Sequence, residues 1–247
     1  DGARKLVSAI AHPLNRARWT PGESAIRRGY GLVQPRVGMT LQGSRRSRFA
    51  TLYSGATGID PYSGAVSDTY QDVFREGSFT GKGIFEVNVF EGVLEGRFAE
   101  NSLLSHDLVE GSFLRTALAS DVEVLDDYPA NYLAAASRLH RWVRGDWQTL
   151  PWLGGRVADS SGARTRNPLS SLHRWKITDN LRRSLVSPTT LALFVFGWWL
   201  LPGANGSWPA IMLLIVFFPA YFSFANSMVF RPRSVSFSAT VPSILDD

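Results

Sequence analysis

Apolar positions along the chain come in short periodic pieces up to residue 183 and in two long runs after it. Leu6, Val7 and Ile10 share one side before Pro13, which predicts a helix over Ala3–His12. Tyr30–Gln34 predicts a short strand that ends before Pro35. Ser44–Ser54 predicts a basic helix, and Pro61–Gly77 a loop with a helical piece. Phe79–Val89 contains the tight turn Thr80-Gly81-Lys82-Gly83, followed by strand-like and helical residues. Leu103–Ala119 reads as a loop that enters a helix near Asp107, and Val122–Leu125 alternates as a strand does. Asn131–Leu150 predicts a long helix with Ala135, Leu139, Trp142 and Val143 near helical spacing. Gly154–Pro168 reads as a polar linker. Ser170–Arg183 reads as an amphipathic helix with Leu172, Trp175 and Leu181 turned toward lipid.

The stretch Ser184–Phe230 contains no Asp, Glu, Lys or Arg. Its apolar runs, Leu185–Leu201 and Trp208–Phe230, flank a Pro-Gly-rich turn. A spanning helix needs about 17–25 residues, so the runs predict a transmembrane hairpin, with two buried core helices as the other reading. Arg174, Lys176, Arg182 and Arg183 precede it and Arg231 and Arg233 follow, which expects both flanks in the cytoplasm. The expected division is residues 1–153, a linker and interface helix over 154–183, the hairpin over 184–230 and a tail over 231–247. The chain shows no signal peptide and opens at Asp1 without Met, so it is expected to be a fragment.

Charge is segregated. Residues 1–49 hold ten Lys/Arg against Asp1 and Glu23, residues 50–130 hold four against fourteen acids, and residues 131–183 hold ten against three. An acidic middle between basic flanks fits an interior site for an anionic substrate better than a nucleic-acid stripe, whose phosphates it would repel. A basic face near anionic lipid is the other reading of the third block. The absence of Cys excludes thiolate metal sites and Cys nucleophiles.

Several motifs fail on chemistry. Gly77–Gly83 has three residues between its first two glycines instead of four, and Gly83 where a phosphate loop puts Ser or Thr. His12, His106, His140 and His173 show no metal pairing, and Ser105-His106-Asp107, being consecutive, cannot converge as a hydrolytic triad. Asp107 sits at a loop-to-helix junction, where a carboxylate can cap the helix or act as a general base. Arg138-Leu139-His140-Arg141-Trp142 combines guanidinium groups with an indole, which suits a phosphate- or sugar-bearing ligand; a membrane-facing basic helix is the alternative.

Ala11-His12-Pro13-Leu14-Asn15-Arg16, Leu32-Val33-Gln34-Pro35-Arg36-Val37, Gly58-Ile59-Asp60-Pro61-Tyr62 and Val66–Asp72 stand in order with Gly81–Ile84 and Glu100-Asn101. Leu104–Gly111 and His140–Gln148 follow. In these segments the chain resembles the glycosyltransferase domain of bacterial cyclic β-1,2-glucan synthases, densely over residues 3–153. The resemblance implies an α/β fold: part of a GT-A core, followed by a transmembrane hairpin, in the bacterial inner membrane. It implies transfer of glucose from UDP-glucose to a growing β-1,2-glucan, with Asp107 as general base. A β-glucan of other linkage and a non-catalytic binding fragment stay open. Arg141 and Trp142 match the end of a Gln-x-x-Arg-Trp motif whose Gln position holds Arg138. Gly81, Lys82, Gly83 and His106 fall beside the expected sugar and phosphate positions. Mg²⁺ or Mn²⁺ is implied, with ligands expected upstream of Asp1. The implied partners are UDP-glucose, a glucan acceptor, the lipid bilayer and the remaining domains of a larger synthase, with no nucleic acid. The chain alone is expected to be inactive.

Overall fold

The computed structural model describes residues 1–53, 68–99, 101–103, 107–200 and 206–229. His106, the Gly58–Tyr62 motif, Arg231, Arg233 and the tail lie outside the described residues. The chain divides into two compact units, Asp1–Arg183 and Ser184–Asp247.

The first unit is mixed α/β. Helix α1 (Gly2–Ala11) buries Leu6 against Val33 and Val122 with Ile10 beside it, whereas Val7 is exposed, because positions four apart share a face and adjacent ones do not. Strand β1 (Leu32–Met39) runs through Pro35 instead of ending before it. Strand β2 (Ile84–Phe85) pairs with β1 only at Leu32 and Val33, so no partner on that edge asks Pro35 for an N–H. On the other side β3 (Thr116–Asp126) runs parallel to β1, and the register shifts between Pro35 and Arg36. The sheet order is β2-β1-β3.

The expected basic helix over 44–54 divides into α2 (Leu41–Ser44) and α3 (Arg48–Tyr53), because each has its own cap. Thr40 Oγ1 accepts from Gly43 N at 2.9 Å, and Ser47 Oγ accepts from Ala50 N at 2.9 Å. From α4 (Thr69–Phe74), Gln71 Nε2 donates to Leu118 O, covering part of the β3 edge. Helices α5 (Val87–Leu94) and α6 (Asp107–Leu114) supply Val89, Val93, Val109 and Phe113 to the main core, which Trp152, Ile177 and Leu181 complete. Asn131 caps α7 (Tyr132–Gln148) by accepting from Ala134 N at 2.9 Å.

The segment expected to be a linker is folded. A 3₁₀ turn over Leu150–Leu153 leads into the hairpin β4 (Arg156–Ala158) and β5 (Arg164–Arg166). Asp159 Oδ1 accepts from the N–H groups of Ser161 and Ala163, and Asn167 Nδ2 donates to Gly154 O. Side-chain hydrogen bonds hold this piece, and apolar periodicity does not register them.

Helix α8 (Ser171–Leu200) joins what the sequence divided into an interface helix and a first membrane helix. Leu181, expected toward lipid, lies in the protein core beside Ile177. Helix α9 is Ser207–Val229. Within the second unit Trp208 Nε1 donates to Phe194 O at 3.3 Å, and any side chain on Gly197 would collide with that indole.

The expected transmembrane hairpin is overturned: among the described residues no helix is long and apolar enough to cross a membrane. The first half of α8 carries Arg174, Lys176, Asp179, Arg182 and Arg183. What remains falls short of the ~20 apolar residues a span needs and includes Ser187, Thr189 and Thr190. In α9 the apolar run Ile211–Phe218 is bounded by Pro209 and Pro219 and followed by Tyr221, Ser223 and Asn226. The multi-pass location and the bilayer partner, which rested on that hairpin, lose their support. The GT-A core is not shown either, since among the described residues this sheet has three strands, one of them only Ile84–Phe85.

Candidate active site

Parallel strands β1 and β3 end on the same side of the sheet, and a cavity of about 600 Å³ opens there, lined by Val37 and Met39 from β1, Asp126 from β3 and Asp127 just beyond it. Ligands of open α/β sheets collect outside the carboxyl ends of the strands.

The glycine turn forms a second wall, with Ser78, Phe79, Thr80 and Lys82 lining the cavity. Its anchor is Gln34, fully buried on β1. Gln34 Nε2 donates to Ser78 O at 2.6 Å, and Gln34 Oε1 accepts from Thr80 N at 3.1 Å. Gly77 N donates to Thr116 O at 2.9 Å, and a Cβ on Gly83 would lie 2.6 Å from Val33 O, so the two ends of the turn rest on β3 and β1. Gly81 turns the chain at φ +88°, a conformation that favours glycine. The space beside it holds the Asp107 carboxylate, since a Cβ there would meet Oδ2 at 2.9 Å. One helical turn after Asp107, Gly111 gives the same close fit against Phe79, so one face of α6 packs on the turn and presents Asp107 to the cavity.

Helix α7 supplies a third wall along one face: Tyr132, Ala135, Leu139, Trp142, Asp146 and Thr149 recur at three- and four-residue spacing. The Arg138 guanidinium lies 4.4 Å from the centroid of the Trp142 ring and contacts Asp126 Oδ2 at 3.4 Å. Lys82 Nζ donates to the same oxygen. That hydrogen bond, against a smaller effect of burial, holds the Asp126 carboxyl below the usual carboxylate range. Lys176, Asp179, Asn180 and Arg183 of α8 close the remaining side. Among the described lining residues, Lys82, Arg138, Lys176 and Arg183 face Asp107, Asp126, Asp127, Asp146 and Asp179, so acids outnumber bases.

The cavity thus brings together Asp107, Lys82, Arg138 and Trp142, with Gly81 directly behind Asp107 and Gly83 packed on β1. Arg141 is exposed and does not line it. Sequence reasoning missed Gln34, Asp126, Asp146 and Lys176 as site residues. Only Gln34 carried a usable signal, an amide in an otherwise apolar strand segment. Among the described residues no three His, Asp or Glu side chains gather as a metal site. Asp126 and Asp127 are engaged by Lys82, Arg138 and Thr40, and the ligands that the resemblance implies for a divalent cation are expected upstream of Asp1.

The chain is similar in sequence to a cyclic β-(1,2)-glucan synthase. It is 41% identical over 249 aligned residues to the cyclic β-(1,2)-glucan synthase NdvB of Rhizobium meliloti (strain 1021). The match takes in all of this chain but 8% of NdvB, so the chain corresponds to a small segment of that protein. No protein-family model matches the chain.

Proposed function

We propose that the chain is part of an inverting hexosyltransferase that moves glucose from UDP-glucose to a growing β-1,2-glucan. The observation that carries this reading is the 41% identity to NdvB across the whole chain. The cavity chemistry supports it. Asp107, backed by Gly81 and facing a space shared with Trp142, is the candidate general base. An acid-rich cavity suits a neutral, hydroxyl-rich acceptor. Lys82 and Arg138, which share Asp126 at the strand end, are the lining cations that would have to exchange that carboxylate for charge building on a leaving diphosphate.

In this mechanism Asp107 takes the proton of the acceptor 2-hydroxyl as that oxygen bonds to the anomeric carbon. The bond from that carbon to UDP breaks on the opposite face, giving a β-linkage, free UDP and a protonated Asp107. General-base help of this kind contributes about 10²–10⁴-fold. The test is Asp107→Asn in the intact protein. Glucosyl transfer should fall by about that factor while UDP-glucose still binds. Undiminished turnover would remove Asp107 from the role, and linkage analysis of the product checks the 2-hydroxyl as nucleophile.

A further inference from the structure

We infer that Phe49, Tyr53, Tyr128 and Tyr132 form an acceptor subsite that holds the distal part of a β-glucan chain, apart from the unit being extended. The inference rests on the transferase reading above and adds to it where the rest of the acceptor lies.

The four rings converge from three elements onto one end of the cavity. Phe49 is the hub: its centroid is 4.9 Å from Tyr53, 6.2 Å from Tyr128 and 6.3 Å from Tyr132, the last nearly edge-on at 83°. Rings that serve only to fill a core are covered, yet Tyr53 and Tyr132 are 55% and 69% exposed while lining the cavity. A tyrosine face with a phenolic hydroxyl at its edge offers an apolar plane and a polar handle together. A pyranose ring offers the same combination, with C–H groups on its faces and hydroxyls around its rim. Among the described lining residues, Asp127 adjoins Tyr128 and the Arg138 guanidinium is paired with Asp126, which disfavours an anion at this end.

Helix α7 sets the distance. Tyr132 and Trp142 line the same cavity ten residues apart, about 15 Å along a helix axis. Between them α7 lines the cavity with Ala135, Ala136, Arg138 and Leu139. A ligand that touches both the Asp107–Trp142 end and the tyrosine end must therefore be longer than a single sugar unit. A growing oligosaccharide meets that requirement.

The experiment compares glucosyl transfer by the intact protein to a β-1,2-linked disaccharide and to long β-1,2-linked oligosaccharides. Tyr53→Ala and Tyr132→Ala should raise the KM for long acceptors about tenfold more than the KM for the disaccharide, the scale of one lost stacking platform. Tyr132→Phe, which keeps the ring, should restore most of the preference. Leu133→Ala, exposed on the same helix but not in the cavity, should leave the ratio as it was. Equal rises at both acceptor lengths, a raised KM for UDP-glucose (the rings would then stack on its base), or no change would each overturn the subsite. If the unaltered protein transfers no glucose to either acceptor, the transferase reading fails instead. Titration of long oligosaccharide against the Tyr53→Ala/Tyr132→Ala double variant then decides the subsite: weakened binding supports it, and undiminished binding overturns it.

Discussion

Asp107 occupies the space that a side chain on Gly81 would need. A Cβ there would stand 2.9 Å from Oδ2 and 3.2 Å from Cγ, at a φ of +88°. The carboxylate and the turn are therefore fitted to one another, and the turn is in turn fixed by Gln34 and by the start of β3.

Gly81→Ala has a built-in control. Gly162 has a similar φ of +81° but nothing within 4 Å of its would-be Cβ. Both Gly81→Ala and Gly162→Ala incur the left-handed backbone cost of about 1–2 kcal/mol. Only Gly81→Ala displaces Asp107, the proposed general base, and misplacement of a reacting group by about 1 Å costs about 10²-fold in rate. Transfer rates measured beside urea midpoints should show comparable destabilisation and a loss of turnover confined to Gly81→Ala. Equal turnover in the two variants would break the link between the turn and the base.

Gln34 anchors that turn from a fully buried position, so its removal strands Ser78 O and Thr80 N without partners. Gln34→Ala and the similarly sized Gln34→Leu should each destabilise by about 1–3 kcal/mol, the cost of leaving the buried Ser78 carbonyl unpaired, with the half-buried Thr80 N–H adding less. The leucine variant separates the hydrogen bonds from simple loss of volume. A Gln34→Leu protein as stable as the parent in urea unfolding rules out the anchoring role.

How far the sequence reaches follows from the range of each force. The helix starting near Asp107 and the one after Asn131 were legible because caps and periodicity act over a few residues. The tyrosine wall was not, since Phe49 and Tyr132 meet only through the fold. Lys176 was invisible for the same reason: its partner Glu76 lies 100 residues away in the chain. Hydropathy misled after residue 183 because it scores a run in isolation. Helix α8 is continuous from Ser171, so its charged first half and apolar second half are one element.

Glu76, buried, makes the stability of the first unit acid-sensitive. Burial pushes its carboxyl up, but the hydrogen bond and charge of His173 (Nε2 to Oε1, 2.7 Å) and of Lys176 (Nζ to Oε1, 3.2 Å) outweigh burial and hold it below 4.5. A carboxyl lowered in the folded state stabilises fully above its unfolded value and loses that contribution as pH falls through the folded one. Glu76→Gln should therefore lower the urea midpoint at neutral pH, and the gap between parent and variant should close as pH drops below 4.5. A gap that stays constant across that range would show that the Glu76 charge contributes nothing.

Asp146 carries the opposite sign. Burial raises its carboxyl above 3.8, and the Arg183 charge with the hydrogen bond from Asn180 Nδ2 (3.3 Å) offsets only part of that. A raised carboxyl costs stability wherever it is ionised, and the cost disappears once pH falls below the unfolded value. Asp146→Asn removes the charge and keeps an oxygen that can accept from Asn180, while Arg183 retains Asp179 Oδ2 at 3.7 Å. The variant should be more stable than the parent at pH 7, and the advantage should shrink toward zero as pH falls through 3.8. A less stable variant at neutral pH would mean that the attraction between Asp146 and Arg183 exceeds the desolvation of the carboxylate. The polar end of the cavity would then be held together by that pair instead of carrying an uncompensated charge.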